Sequence, residues 1–281
     1  MGSSREELEC PLWSSVGHRA NRTGTTRSGH HRDYVLVVLT GMLLLAVPVG
    51  LLIGAVGVGG VLLPPALVHL GGLGVPAAAG TSSWAFLFTG VVGTLAYARH
   101  GTVPWPLAGR LALGAAPAAV AGALVNGLVP PLVVWLVLGS ITFGAGAHRL
   151  RRGSGGDRTA LPTATAVVTG AVVGFGSALT GTGGPILLVP VLSLLGVAPL
   201  AAVAAGQLIQ LPLAAFAVLG YGTTGSVHYG LGTLLGVVAA AAVVAGARFA
   251  RRLPGIRLRQ VSAGILLAVG VFLFTLPFLP S

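Results

Sequence analysis

Acidic side chains are almost missing from this sequence. Five occur in 281 residues, at Glu6, Glu7, Glu9, Asp33 and Asp157, and there is no lysine. Charged residues make up 7% of the chain, far below the ~25% of an ordinary soluble domain, which excludes a water-facing surface over most of the molecule. No Asp or Glu falls inside a long apolar run. That removes the carboxylate relays of proton-coupled pumps and the carboxylates that often hold sodium. The single cysteine, Cys10, excludes an intramolecular disulfide and leaves no thiol cluster for metal or redox chemistry, so no cofactor is expected.

What is present is apolar. Hydrophobic residues are 54% of the chain and the mean hydropathy is +0.92, the composition of an integral membrane protein whose first partner is the lipid bilayer. All sixteen basic residues are arginine, which with abundant Ala, Gly and Val reads as the codon bias of a GC-rich, bacterial genome. A net charge of +11 would suggest nucleic acid in a soluble protein. Here every arginine can be placed in a tail, a loop or a span end, as the positive-inside rule predicts, and no nucleic-acid partner is expected. The chain is expected in the cell membrane as a multi-pass protein.

Residues 1–33 read as a disordered basic tail. The apolar run from Tyr34 to Gly54 has too long a core for a signal peptide and no clear cleavage site after Pro48, so it reads as the first span. Spans of ~20 apolar residues are expected at 34–55, 76–98, 105–126, 130–148, 161–180, 199–221, 227–248 and 257–279. Two further runs, 60–72 and 184–196, are only half that length. As helix each is ~20 Å long, too short to cross a ~30 Å hydrocarbon core unaided.

A glycine-rich break precedes each half-length run. Gly57-Val58-Gly59-Gly60 leads into the first, and Gly181-Thr182-Gly183-Gly184, 124 residues later, into the second. The same offset relates Asp33 to Asp157, Tyr97 to Tyr221, Gly101 to Gly225, Val103 to Val227 and Trp105 to Tyr229. Gly80 against Gly206 needs a small gap, and that gap pairs Thr81 with Gln207. The expected fold is therefore all-α: two homologous membrane repeats, 34–152 and 161–281, joined by a cytoplasmic linker at 153–160. Each repeat holds four full transmembrane helices and one broken half-helix. Paired interruptions of this kind are a sequence pointer to a transporter's binding site.

Arginines bear on how the repeats are related. Repeat one has Arg99 and His100 after its second full span, where repeat two has Thr223 and Thr224. Repeat two has Arg248, Arg251, Arg252, Arg257 and Arg259 after its third, where the stretch from Leu124 has none until the fourth span has begun. Basic loops in antiphase favour inverted repeats in which the half-length runs cross. The rival, eight spans with two re-entrant hairpins, strands the five arginines of 248–259 outside, whereas inversion leaves only a free tail there.

Glycine breaks opening short helices suit an anion. A bare helix N-terminus carries unsatisfied N–H groups and about half a positive charge, and successive glycine amides can form a concave nest. The competing reading is that these glycines let helices pack closely or bend. Both breaks, Gly57, Gly59, Gly60, Gly181, Thr182, Gly183 and Gly184, are substrate-site candidates on the first reading.

At these breaks, and in Ala96-Tyr97-Ala98-Arg99-His100-Gly101-Thr102-Val103-Pro104-Trp105, the chain resembles the sulfite exporter TauE/SafE family of membrane transporters over residues 34–279. The second copy departs at Gly220-Tyr221-Gly222-Thr223, which lacks the basic residue. The resemblance implies a transporter, not an enzyme, for sulfite or a related organosulfur anion. Donors near the breaks then become candidates to hold its oxygens: Thr81 and Ser82 in repeat one, with Ser83 beside them, and Gln207 and Gln210 in repeat two, with Thr180 nearby. Ser and Thr in spans usually bond their own helix, whereas Gln is harder to leave unpaired in lipid. His69, His100, His228 and Arg110 are weaker candidates, and Trp84 and Phe86 read as packing. An anion leaving a negative-inside cell gains ~2.3 kcal/mol per charge per 100 mV without a coupling ion, which favours export. The alternatives are an anion channel or an importer of another small anion.

Overall fold

The computed structural model describes residues 27–126, 128–151, 158–223 and 227–275. The chain is all-helical over these residues. Ten helices run in order: α1 (Arg27–Val56), α2 (Leu63–His69), α3 (Val75–Ala98), α4 (Trp105–Asn126), α5 (Pro131–Arg151), α6 (Thr163–Thr180), α7 (Pro185–Leu194), α8 (Pro199–Gly222), α9 (Tyr229–Arg252) and α10 (Gly255–Thr275). A 3-10 turn, Gly59–Leu62, leads into α2. Proline stands in the first turn of α2, α3, α7 and α8, where its missing N–H has no intrahelical acceptor to lose.

Among the described residues, six helices are long and apolar enough to cross a membrane: α1 from Leu36, α3, α4, α6, α8 and α9. The other two expected spans form as 21-residue helices, α5 and α10. Each carries its arginines in one end turn, Arg149 and Arg151 in α5 and Arg257 and Arg259 in α10. Helix α1 begins at Arg27, inside the stretch expected to be tail, because a helix once nucleated extends into polar residues at little cost. Cys10, Asp157 and most of the 153–160 linker lie outside the described residues.

Helices approach until backbones touch, and glycine permits it. Between α4 and α6, a Cβ on Gly114 would sit 2.0 Å from the Val167 carbonyl oxygen, and one on Gly170 2.0 Å from that of Leu111. Between α1 and α9, Gly50 faces the Ala239 carbonyl at 2.1 Å and Gly54 that of Val243 at 2.2 Å. Small residues at such interfaces are what lipid-embedded helices need, since no hydrophobic force drives them together. Large apolar side chains such as Leu44, Leu113, Val168, Val172 and Leu219 point outward instead.

These contacts also fix helix directions. Gly50 to Gly54 climbs α1 as Ala239 to Val243 climbs α9, so the two run parallel. Gly232 packs on Thr81 and Gly236 on Ala85, so α3 runs parallel to α9 as well. Helices α1 and α3 therefore point the same way, and residues 57–74 carry the chain back between them: Gly59 lies against Val49 and Gly71 against Met42. The second half-length run does the same. Its end returns to the entrance of α6, where the Arg158 amide bonds the Gly196 carbonyl at 3.1 Å and the Ala198 amide bonds the Arg158 carbonyl at 3.1 Å. Helices α3 and α8 run antiparallel, with Gly90 on Leu211 and Gly93 on Gln207. The principal helix pairs are α4·α6 with α1·α9, α3·α9 with α4·α8, and α3·α8 and α5·α10. Exchanging α1–α5 for α6–α10 maps this set onto itself.

Gly114→Ala should therefore push α4 from α6 and lower stability by about 1–3 kcal/mol. Gly109→Ala, with nothing within 4 Å, should hold or raise it. Thermal unfolding in detergent compares the two.

Candidate functional site

The two glycine breaks meet inside the bundle. Helix α1 closes with the Gly57 amide on the Leu52 and Ile53 carbonyls, both 3.1 Å, and Gly57 turns the chain at φ 75°. Helix α6 closes at Gly181, φ 67°, with the Thr182 amide on the Ser177 carbonyl at 3.0 Å. Gly183 and Gly184 follow at φ 79° and 100°, conformations that L side chains rarely adopt. A Cβ on Gly60 would sit 2.5 Å from the Thr182 carbonyl oxygen, and Gly57 faces Pro185 and Val189 of α7. Among the described residues, the amides of Gly59, Gly60, Gly183 and Gly184 make no hydrogen bond.

Two tyrosines brace the helix ends that feed these breaks. Tyr97 donates its hydroxyl to the Gly54 carbonyl at 2.7 Å, and Tyr221 donates to the Ala178 carbonyl. Both carbonyls lie in the last turn of a helix, where the intrahelical acceptor role ends. Each tyrosine stands 43 residues from its acceptor.

The glutamines occupy the α3–α8 crossing, fully buried. Gln207 Nε2 donates to the Ile53 carbonyl at 2.9 Å. Gln210 Nε2 donates to the Phe86 carbonyl at 3.1 Å and to Thr89 Oγ1 at 2.7 Å. Their donors are thus engaged with protein in this arrangement, as the cost of leaving an amide unpaired in lipid requires. Their Oε1 atoms are buried and unpartnered, and that of Gln207 lies over Gly93, where a Cβ would meet it at 2.1 Å. Ser82 Oγ reaches the Gly181 carbonyl at 2.9 Å, tying α3 to the second break. Thr182 Oγ1 pairs with Thr180 Oγ1 at 3.0 Å.

The geometry thus brings together Gly57, Gly59, Gly60, Ser82, Gly181, Thr182, Gly183, Gly184, Gln207 and Gln210. Thr81 is not among them: its hydroxyl accepts the His228 amide at 3.0 Å, at the start of α9. Ser83 bonds back to the Ala79 carbonyl at 2.8 Å within its own helix. His69 and His100 are exposed, and Arg110 reaches the Leu161 carbonyl at 3.2 Å, away from the breaks. Among the described residues no cluster of metal-ligating side chains occurs.

Sequence reasoning missed Phe86. Its buried ring sits on both breaks, 2.5 Å from where a Gly183 Cβ would be and 3.2 Å from that of Gly60. It stands 124 residues before Gln210, whose amide takes its carbonyl, and that offset was the available signal. The Ser177 Oγ is buried without a partner, one turn before the second break.

Gly183→Ala meets both an unfavourable φ and the Phe86 ring. It should lower stability by about 1–3 kcal/mol. Adding Phe86→Leu should recover part of the loss, and Gly144→Ala, with open space around it, should show none. Unfolding midpoints of the three variants check this.

No curated protein and no solved structure matches the chain. A family model does, over residues 42–273, which takes in every helix from the middle of α1 to the end of α10 and both breaks. The chain belongs to the family described as sulfite exporter TauE/SafE, a family of membrane transporters.

Proposed function

We propose that this protein exports sulfite or a related organosulfur anion, held where the two glycine breaks cross. The observation that carries the reading is the contact of Gly60 with the Thr182 carbonyl, which brings together two breaks whose amides at Gly59, Gly60, Gly183 and Gly184 make no hydrogen bond among the described residues. Helix ends aimed inward favour negative charge there without a basic side chain. Ser82, Thr182, Gln207 and Gln210 complete the donor set, the glutamines by releasing their carbonyl acceptors as the anion enters.

The two halves are inverted repeats on this reading, with boundaries at 34–152 and 161–281. Three features support it: the antiparallel α3–α8 pair, the exchangeable set of helix contacts, and the matched tyrosine braces 124 residues apart. Parallel α3 and α9 end together, which gathers Arg99, Arg248, Arg251 and Arg252 at one end of the bundle. By the positive-inside rule that end faces the cytoplasm of a cell membrane. An anion moving away from it is driven by ~2.3 kcal/mol per charge per 100 mV.

The test is flux of sulfite from proteoliposomes under an imposed potential, with thiosulfate, sulfoacetate and sulfate as competitors. Saturable, potential-dependent efflux is expected. Gln207→Ala should raise the half-saturating sulfite concentration about tenfold, the worth of a hydrogen bond to a charged group, while Gln260→Ala on the exposed face of α10 leaves it unchanged. Efflux that never saturates would favour a channel, and none from folded protein would favour another anion.

A further inference from the structure

We infer that the outer face between α3 and α9 is a binding site for one acyl chain of an anionic phospholipid from the surrounding bilayer. A cavity of about 560 Å³ lies there, lined by no residue of either glycine break. Its walls are apolar throughout, with Trp84, Phe88 and Val91 on one side and Val237, Ala241 and Val244 on the other. The one polar atom that Trp84 could offer, its indole N–H, is taken by Thr233 Oγ1 at 2.8 Å. Val91 and Val237 are half exposed, so the groove opens outward.

The shape fits a chain that enters from one leaflet. Trp84 lies near the middle of α3, and the helix face from Trp84 to Val92 is about 12 Å long. That is close to the ~15 Å hydrocarbon depth of a single leaflet. The lower end is closed by aromatic rings, Trp84 packing edge-on against Tyr229 at 5.0 Å and Phe88 at 6.0 Å between centroids.

Charge selects the headgroup. Arg248 stands one turn beyond Val244 and two beyond Ala241, on the same face of α9; Arg99 stands two turns beyond Val92 on α3. Both arginines are exposed, and Arg251 beside them reaches across to the Ala96 carbonyl at 2.8 Å. No acidic residue occurs in α3, α9 or the turn that follows α3, so these two helices carry no carboxylate of their own to offset the arginines. An apolar slot one leaflet deep, with exposed arginines beyond its end at headgroup level, matches an anionic lipid and not a zwitterionic one.

Trp84 reports on its own groove. In full-length protein carrying Trp13→Phe, Trp105→Phe and Trp135→Phe, Trp84 fluorescence is read in phosphatidylcholine bilayers doped with phosphatidylglycerol or phosphatidylcholine brominated along the acyl chain. Brominated phosphatidylglycerol should quench about thirtyfold more effectively per mole fraction, from ~1 kcal/mol for each of the two arginines near the surface. Arg99→Gln with Arg248→Gln should abolish that preference, and Arg151→Gln, elsewhere on the surface, should keep it. Ala241→Leu, which fills the slot, should reduce quenching by both lipids. Equal quenching by the two lipids, a preference that survives the double arginine variant, or quenching unmoved by Ala241→Leu would each overturn the site. Weak quenching by both lipids together with a cross-linked dimer through α3 and α9 would assign the groove to a second copy of the chain.

Discussion

Lipid offers no hydrogen bonds, and every broken turn of backbone inside a membrane must find its partners within the protein. Each glycine break leaves carbonyls at the end of one helix and amides at the start of the next. The fold answers the carbonyls with side chains from a distant helix: Tyr97 on Gly54, Gln207 on Ile53, Ser82 on Gly181, Tyr221 on Ala178. Helices α3 and α8, which carry those side chains, are held against the breaks by this requirement. The amides of Gly59, Gly60, Gly183 and Gly184 remain without a hydrogen bond among the described residues, and the two breaks touch at Gly60 and Thr182. One solvent constraint therefore both builds the centre of the molecule and leaves it with unpaired donors.

Close approach is the second consequence of the same environment. Glycines at 50, 54, 114, 122, 170, 174 and 246 put helix backbones in contact, so the pairs α1·α9 and α4·α6 leave no room for a methyl group. Parallel packing of α1, α3 and α9 then requires the chain to come back between α1 and α3, which a half-length run achieves only because the glycine segment and the 3-10 turn add reach. The breaks are thus topological devices, whatever they bind. The two readings weighed for these glycines, close packing and anion binding, are not exclusive. Gly59 packs on α1 through its Cα face while its amide stays unpaired.

The sequence made the membrane class, the helix positions and both breaks legible, because apolar runs and glycine clusters are local signals. Spans were placed within a few residues everywhere except the start of α1, where polarity near Arg27 hid a continuing helix. The site was legible only in part. Gln207 and Gln210 were found because amides are rare in apolar runs, yet their partners, the Ile53 and Phe86 carbonyls, are backbone atoms on other helices and leave no mark in composition. Thr81 was paired with Gln207 by an alignment gap, and the fold turns it instead to the amide of His228. Phe86 looked like any core aromatic. Its place follows from the antiparallel crossing of α3 and α8, a long-range contact that no window of sequence displays.

The pairing of the glutamines bears on how such a site can work at all. A buried donor left unpaired costs roughly 1–3 kcal/mol, so a transporter cannot keep a full set of donors waiting in a dry core. Here the glutamine donors rest on carbonyls while Phe86 lies across both breaks. On the proposed reading an anion takes over those donors, and the hydrogen bonds it gains offset the ones it breaks. Binding is then specific without being deep, which export requires, since the anion must leave as readily as it enters. The Phe86 ring has to move for that exchange, and because it touches Gly60 and Gly183 together, its displacement couples the two breaks. Two helix ends that share one ring cannot open independently. On the proposed reading, that coupling is what would restrict access to one side at a time.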